Sequence, residues 1–125
     1  MKLSENFSLD EFKSKDGASF PAEVVENLST LAVQLQALRD EVKKPITVLS
    51  GYRSPAHNLK IGGAKESFHV KGMAGDLQVA GMTPSQVAQT IEKLIKEGKM
   101  KEGGIGIYPT FCHYDFRGKR IRWKK

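Results

Sequence analysis

The chemistry this chain can do rests on few residues. It holds three histidines, His57, His69 and His113. The stretch SFHVKGMAGD, residues 67–76, carries His69 and Asp76 with Gly72 and Gly75 between them. On a helix a seven-residue spacing would put both side chains on one face. Two glycines inside those turns would cost about 1 kcal/mol each relative to alanine. The stretch therefore predicts a loop that delivers His69 and a strand that carries Asp76. Later, FCHYDF reads as a strand in which Phe111, His113 and Asp115 face one side. Cys112, Tyr114 and Phe116 face the other, which is the core side. Two imidazoles and a carboxylate from His69, Asp76 and His113 meet the ligand count of a catalytic zinc centre, with a fourth position open to water. Zinc held this way brings the pKa of its water to about 7. By spacing alone, the same residues also suit turn and surface positions.

The elements that must position these residues follow from periodicity and capping. FSLDEF opens as a helix start, with Ser8 and Glu11 in a capping box and Phe7 and Phe12 as a hydrophobic staple. Residues 22–42 predict the clearest helix, with Val24, Leu28, Leu31, Leu35, Leu38 and Val42 on one stripe. Pro45 ends that pattern, and ITVLSGY reads as a strand. SPAHNLKIGGAKES is expected to be a loop by its Gly, Pro, Ser and Asn content. DLQVA is a short strand. Thr83 and Gln86 form a second capping box ahead of a helix that ends at Gly98. GGIGIY and TFCHYDF are strands, and RG is expected to turn the chain into KRIRW as a hairpin. The fold class is α+β: N-terminal helices plus a small antiparallel sheet.

Composition narrows the function classes. With 125 residues, residues 1–125 are expected to form a single domain. No apolar run reaches membrane-spanning length, so no membrane insertion is expected. The N-terminus lacks the apolar core of a signal peptide. One cysteine, Cys112, excludes an internal disulfide. The net charge of +6 favours anionic partners, among them nucleic acid and cell-wall polymer, and also serves solubility. Gly103, Gly104 and Gly106 make no phosphate loop, because the Lys-Ser or Lys-Thr that must follow is missing. The basic tail GKRIRWKK, with Trp123, suits either an anionic polymer or a solvated strand. No nucleic-acid motif is recognisable, so a nucleic-acid partner is not expected.

SGYRSPAHN, GGAKESFHVKGMAGD and GGIGIYPTFCHYDFRGKRIRW together resemble the zinc D-alanyl-D-alanine peptidase family, and most closely its small phage and prophage members. NFSLDEF and LQALRDEVKKPITVLSGYRS fit as well, so the resemblance covers nearly the whole chain. It implies the Hedgehog/D-Ala-D-Ala peptidase fold and hydrolysis of a peptide bond in peptidoglycan stem peptides, as carboxypeptidase or endopeptidase. It implies one zinc ion on His69, Asp76 and His113. Arg53 matches an arginine that contacts substrate near the metal and steadies negative charge. Ser67 matches a serine beside the first ligand, where it can bond substrate or cap the loop.

One departure bears on catalysis. Many relatives carry Asp or Glu three residues before the last histidine, and here that position is Thr110. Asp115 is the nearest substitute, either as general base or as a group that orients a ligand. The alternatives are a non-catalytic zinc-binding wall module of the same fold and, ranked last, a basic nucleic-acid-binding protein suggested by charge alone. A monomer is expected, made in the cytoplasm and acting at the wall after phage-type release or virion delivery. Cys112 is expected in the core, and His57 on the surface.

Overall fold

In the computed structural model, which describes residues 1–125, the apolar stripe becomes helix α1, Ala22–Val42. The expected bounds are met at both ends. Pro21 precedes the first turn, and Lys43 adopts a left-handed conformation (φ 56°) that turns the chain out of the helix. Val24, Leu28, Leu31, Leu35 and Leu38 are buried along it. Before α1, FSLDEF supplies only one 3-10 turn, Leu9–Phe12. The Ser8 N–H donates to Glu11 Oε2 (2.8 Å), and the Phe7 and Phe12 rings lie 6.2 Å apart in the core.

Five strands follow: β1 Ile46–Ser50, β2 Ala74–Val79, β3 Gly104–Ile107, β4 Cys112–Asp115 and β5 Ile121–Lys124. They form one sheet in the order β1-β2-β4-β3-β5. Helix α2, Pro55–Lys60, lies between β1 and β2, and α3, Pro84–Lys96, lies between β2 and β3. The fold is α+β. No helix is long and apolar enough to cross a membrane.

Two expectations are corrected. The segment after Arg53 is not all loop. Ser54 Oγ accepts from the His57 N–H (3.1 Å) and Pro55 occupies the first turn, so α2 forms before the Gly-rich residues begin. The C-terminal residues do not make a hairpin with β4. Both edges of β4 are taken, by β2 and by β3. Strand β5 therefore passes to the free edge of β3 and pairs with it in parallel. The sheet is antiparallel in three of its four pairings and not throughout. As expected from the Thr83–Gln86 box, α3 lies between two strands, and α2 adds a second helix within the sheet's connections.

The α1 and α3 helices cover one face of the sheet. Leu77, Cys112, Tyr114 and Ile105 point into that core beside Leu31, Leu35, Val87 and Ile91. Each such buried Leu or Ile side chain contributes about 1.5–3 kcal/mol relative to exposure. The capping box of α3 is in place, with Thr83 Oγ1 accepting from Gln86 N–H (3.2 Å) and Gln86 Oε1 accepting from Thr83 N–H (2.9 Å). Together, the anchored helices leave the opposite face of the sheet free for other work.

Candidate metal centre and cleft

Sheet register assembles the site. One row of directly opposed residues runs across all five strands: Ser50, Asp76, His113, Gly106 and Trp123. Opposed residues in a ladder point to the same face. Asp76 and His113 therefore meet as a cross-strand pair on the face away from α1 and α3. The turn from Phe68 to Met73 supplies His69. The Met73 N–H returns to the Phe68 carbonyl (3.0 Å), and Gly72 holds φ +76°, a region costly for a residue with a side chain. A Cβ at Gly72 would also press on Val24 of α1 (2.9 Å). The expected loop-then-strand reading of this stretch is what forms.

The hydrogen bonds determine which nitrogen each histidine presents. His69 Nδ1 lies 2.8 Å from the Gly51 carbonyl oxygen. A carbonyl only accepts, so Nδ1 carries the hydrogen and Nε2 presents a lone pair. That lone pair faces Asp76 Oδ1 at 3.2 Å. On the other side, His113 Nε2 lies 2.7 Å from Asp115 Oδ2, and its Nδ1 faces the same Asp76 Oδ1 at 3.1 Å. With the His113 hydrogen committed to Asp115, Nδ1 is also a lone pair. Three electron-rich atoms thus converge within 4.8 Å of one another. Such a trio repels itself unless a cation sits among them, so the donor set fits a divalent metal. All three residues are buried.

Electrostatics agree with this arrangement. Burial works to raise the Asp76 carboxyl, but the adjoining His113 and His69 imidazoles outweigh it and hold the group well below the usual carboxylate range. Burial works to lower the His113 pKa, but its contacts with Asp115 and Asp76 prevail and raise it.

Asp115 lies behind His113 and is fully buried. Its Oδ1 accepts from the Gly104 N–H (3.0 Å), the Arg117 N–H (3.1 Å) and Arg117 Nε (2.8 Å). Its Oδ2 accepts from Arg117 Nη2 (2.7 Å) as well as His113. Burial would raise this carboxyl, yet the Arg117 and His113 hydrogen bonds hold it far below its ordinary value. Arg53 reaches the second oxygen of Asp76 with Nη2 (3.4 Å), while Nε and Nη1 bond Ser50 Oγ (3.2 Å) and Asn58 Oδ1 (3.3 Å). Ser67 Oγ accepts from the His69 N–H (3.2 Å), so its hydroxyl caps the His69 turn.

A cleft of about 500 Å³ opens over this trio, and Arg53, Ser67, His69, Asp76 and His113 all line it. Thr110 does not. It is exposed and borders a separate cavity with Leu77 and Val87. Cys112 is buried on the core side, where burial pushes its thiol up to about 12. His57 lies on α2, half-buried, and does not line the cleft.

Sequence reasoning placed none of four residues that the fold brings to the cleft or its wall. Glu66 lines the cleft, exposed and without an ion-pair partner. Arg117 lines it while gripping Asp115. Trp123 packs beside His113 (ring centroids 5.0 Å) and donates from Nε1 to Tyr108 Oη (3.0 Å). Gly106 makes room for it, since a Cβ there would overlap the indole. Alternation along KRIRW could have marked Trp123 as facing one side, but not which partner lay beneath.

Comparison with known proteins places this geometry in context. A sequence model described as Peptidase M15 matches residues 3–115. The chain is 38% identical over 86 residues to the probable peptidoglycan L,D-endopeptidase MepK of Haemophilus influenzae, covering 63% of this chain and 42% of that protein. It is 35% identical over 80 residues to the peptidoglycan L,D-endopeptidase MepK of Escherichia coli strain K12, covering 58% of this chain and 41% of that one. The chain spans about two fifths of the length of these relatives. The crystal structure of the Serratia marcescens L-Ala D-Glu endopeptidase ChiX aligns with a TM-score of 0.48 at 20% identity, over 78% of this chain and 88% of that one.

Proposed function

Because the chain belongs to the peptidase M15 family, we propose that it is a zinc-dependent endopeptidase that cuts a peptide bond within peptidoglycan stem peptides. The observation that carries this reading is the convergence of His69 Nε2, Asp76 Oδ1 and His113 Nδ1, three acceptor atoms with no hydrogen between them. Endopeptidase is preferred to carboxypeptidase because the MepK relatives are named for that activity.

His69, Asp76 and His113 would hold one zinc ion. Bound there, zinc would polarise the peptide carbonyl and make water nucleophilic at neutral pH. The chain's own residues do the rest. Gly51 and Asp115 orient the two imidazoles and set their tautomers. Of the two roles open to Asp115, positioning is the one its surroundings support. A carboxylate that already accepts five hydrogen bonds and is held ionised has little capacity to take another proton. Arg53 steadies Asp76 and offers its remaining N–H groups to the substrate carbonyl. Ser67 holds the His69 turn. Glu66 is the carboxylate on the cleft left free to accept a proton, and we assign it that role.

The test is a digest of purified peptidoglycan, with products identified by mass spectrometry. Zinc-loaded protein should release stem-peptide fragments and chelated protein should not. Absence of any fragment from protein carrying one zinc would end the enzymatic reading and leave a wall-binding zinc module.

A further inference from the structure

We propose that Arg117 is a substrate-carboxylate receptor, so that the cleft selects peptides carrying a free carboxylate close to the scissile bond. This rests on the function proposed above and names the substrate feature that its site would read.

The argument begins with the shape of a guanidinium. It carries five N–H donors in a rigid plane and can engage two carboxylates at once, one along each edge. Arg117 gives its side edge to Asp115, with Nε on Oδ1 at 2.8 Å and Nη2 on Oδ2 at 2.7 Å. The end edge, formed by Nη1 and the second hydrogen of Nη2, makes no hydrogen bond within the protein. The guanidinium carbon also lies over two aromatic rings, 4.3 Å from the Phe68 centroid and 5.8 Å from that of Trp123. A fork fixed this way loses little freedom when it takes a ligand.

Its location points the same way. Arg117 lines the cleft that holds the metal ligands, with its side chain 18% exposed. Asp115 Oδ2 touches both Arg117 Nη2 and His113 Nε2, each at 2.7 Å. Thus the fork stands one carboxylate away from a metal ligand, within reach of a group near the scissile bond. Arg53, the other arginine on the cleft, has a protein partner on each of its three nitrogens. Lys125 lines the cleft too, and Glu66 is the one carboxylate there that is neither ligand nor ion-paired. The balance of charge favours an anionic group. A carboxylate on the end edge would form paired, charge-assisted hydrogen bonds.

The experiment uses two synthetic stem peptides that differ at one group, a free α-carboxylate in one and the carboxamide in the other. With zinc-loaded protein, amidation should lower kcat/KM by about tenfold to a hundredfold. Arg117→Lys and Arg117→Gln should slow both peptides through Asp115, but the acid-to-amide ratio should fall toward one. Asp115→Asn should also slow both, and the ratio should persist because Arg117 remains. Equal rates for the two peptides with the unmodified protein, or a ratio that survives both Arg117 substitutions, would overturn the proposal. If neither peptide is cut, the proposed reaction fails on its own. Calorimetric binding of the same pair to the zinc form then decides this point. Tighter binding of the acid that is lost in Arg117→Gln supports the receptor, and equal affinities reject it.

Discussion

On one face of the sheet, Leu77, Cys112, Tyr114 and Ile105 lie beneath α1 and α3 and are at most 2% exposed. On the other face, Asp76, His113 and Asp115 are 6%, 7% and 0% exposed. The two faces are nearly equally dry, yet their chemistry is opposite. The apolar face is stabilised by area removed from water, a non-directional contribution that tolerates exchange among residues of similar volume. The polar face can be dry only because each charged group meets a partner of the right kind at the right distance. The two faces should therefore fail differently, one by loss of folding and the other by loss of metal.

The sharpest separation is expected from His113→Ala. It removes a proposed ligand without opening the core, so zinc content should vanish and peptidoglycan digestion should fall on the order of a thousandfold. The thermal unfolding midpoint of the metal-free form should change little. Zinc retained at one ion per chain would contradict the ligand assignment. On the opposite face, Leu31→Ala should cost about 3 kcal/mol of stability in urea unfolding. Zinc stoichiometry should stay at one in the molecules that remain folded.

Asp115→Asn tests whether the row behind the ligands matters as much as the ligands themselves. An amide can present a hydrogen to His113 Nε2, which would favour the wrong tautomer. Zinc affinity should drop about tenfold to a hundredfold with the fold intact, as read by chelator competition. A larger loss of turnover with unchanged zinc affinity would instead return Asp115 to a role in proton transfer.

The two faces should also differ in their response to pH. Asp115 and Asp76 hold the His113 pKa above its ordinary value despite burial. A protonated His113 cannot ligate, so metal and proton compete. Zinc affinity should fall as pH falls, and should begin falling at a higher pH than for a free imidazole. Affinity that stays flat down to pH 6 would remove Nδ1 from the ligand set.

The smallest effect lies at the N-terminal segment, which braces the residues beside Arg53. Hydrogen bonds from Ser54 and Ser14 and the Ala18 N–H lower the Asp16 pKa from 3.8 to about 2. A depressed carboxyl stabilises the fold above the unfolded value, and that stabilisation is lost as pH falls through the folded one. Asp16→Asn should therefore flatten the acid limb of the urea midpoint between pH 3.8 and about 2. It should leave the midpoint near pH 7 slightly lower.

Legibility in the sequence differed between the faces as well. The apolar face was readable from short stretches. The leucine stripe of α1, the Thr83–Gln86 box and the alternation in FCHYDF each depend on neighbours within a few residues, and local pattern is enough for those. The Ser54-Pro55 start of α2 was equally local, but the Gly and Asn content after it masked the cap. The hairpin expected after Arg117 failed for a reason no window can contain. Whether β4 has a free edge depends on β2 and β3, which come from elsewhere in the chain. On the polar face, His69, Asp76 and His113 were legible as residue types, and the family resemblance selected them. The resemblance also pointed to Thr110 as a gap in the machinery, although the fold puts that residue outside the cleft.

By itself the sequence determined which side-chain types could bind a metal, where α1 and α3 begin and end, and which strand positions face alike. Those are consequences of backbone periodicity and capping, which act over one or two turns. Only the tertiary structure decided that His69 presents Nε2 and His113 Nδ1, because the Gly51 carbonyl and the Asp115 carboxylate that claim the opposite nitrogens arrive through folding. The same holds for the Arg117 fork beside Phe68 and Trp123, which is completed when β5 takes the free edge of β3. Hydrogen-bond direction and sheet register arise between distant segments, and no local pattern encodes them.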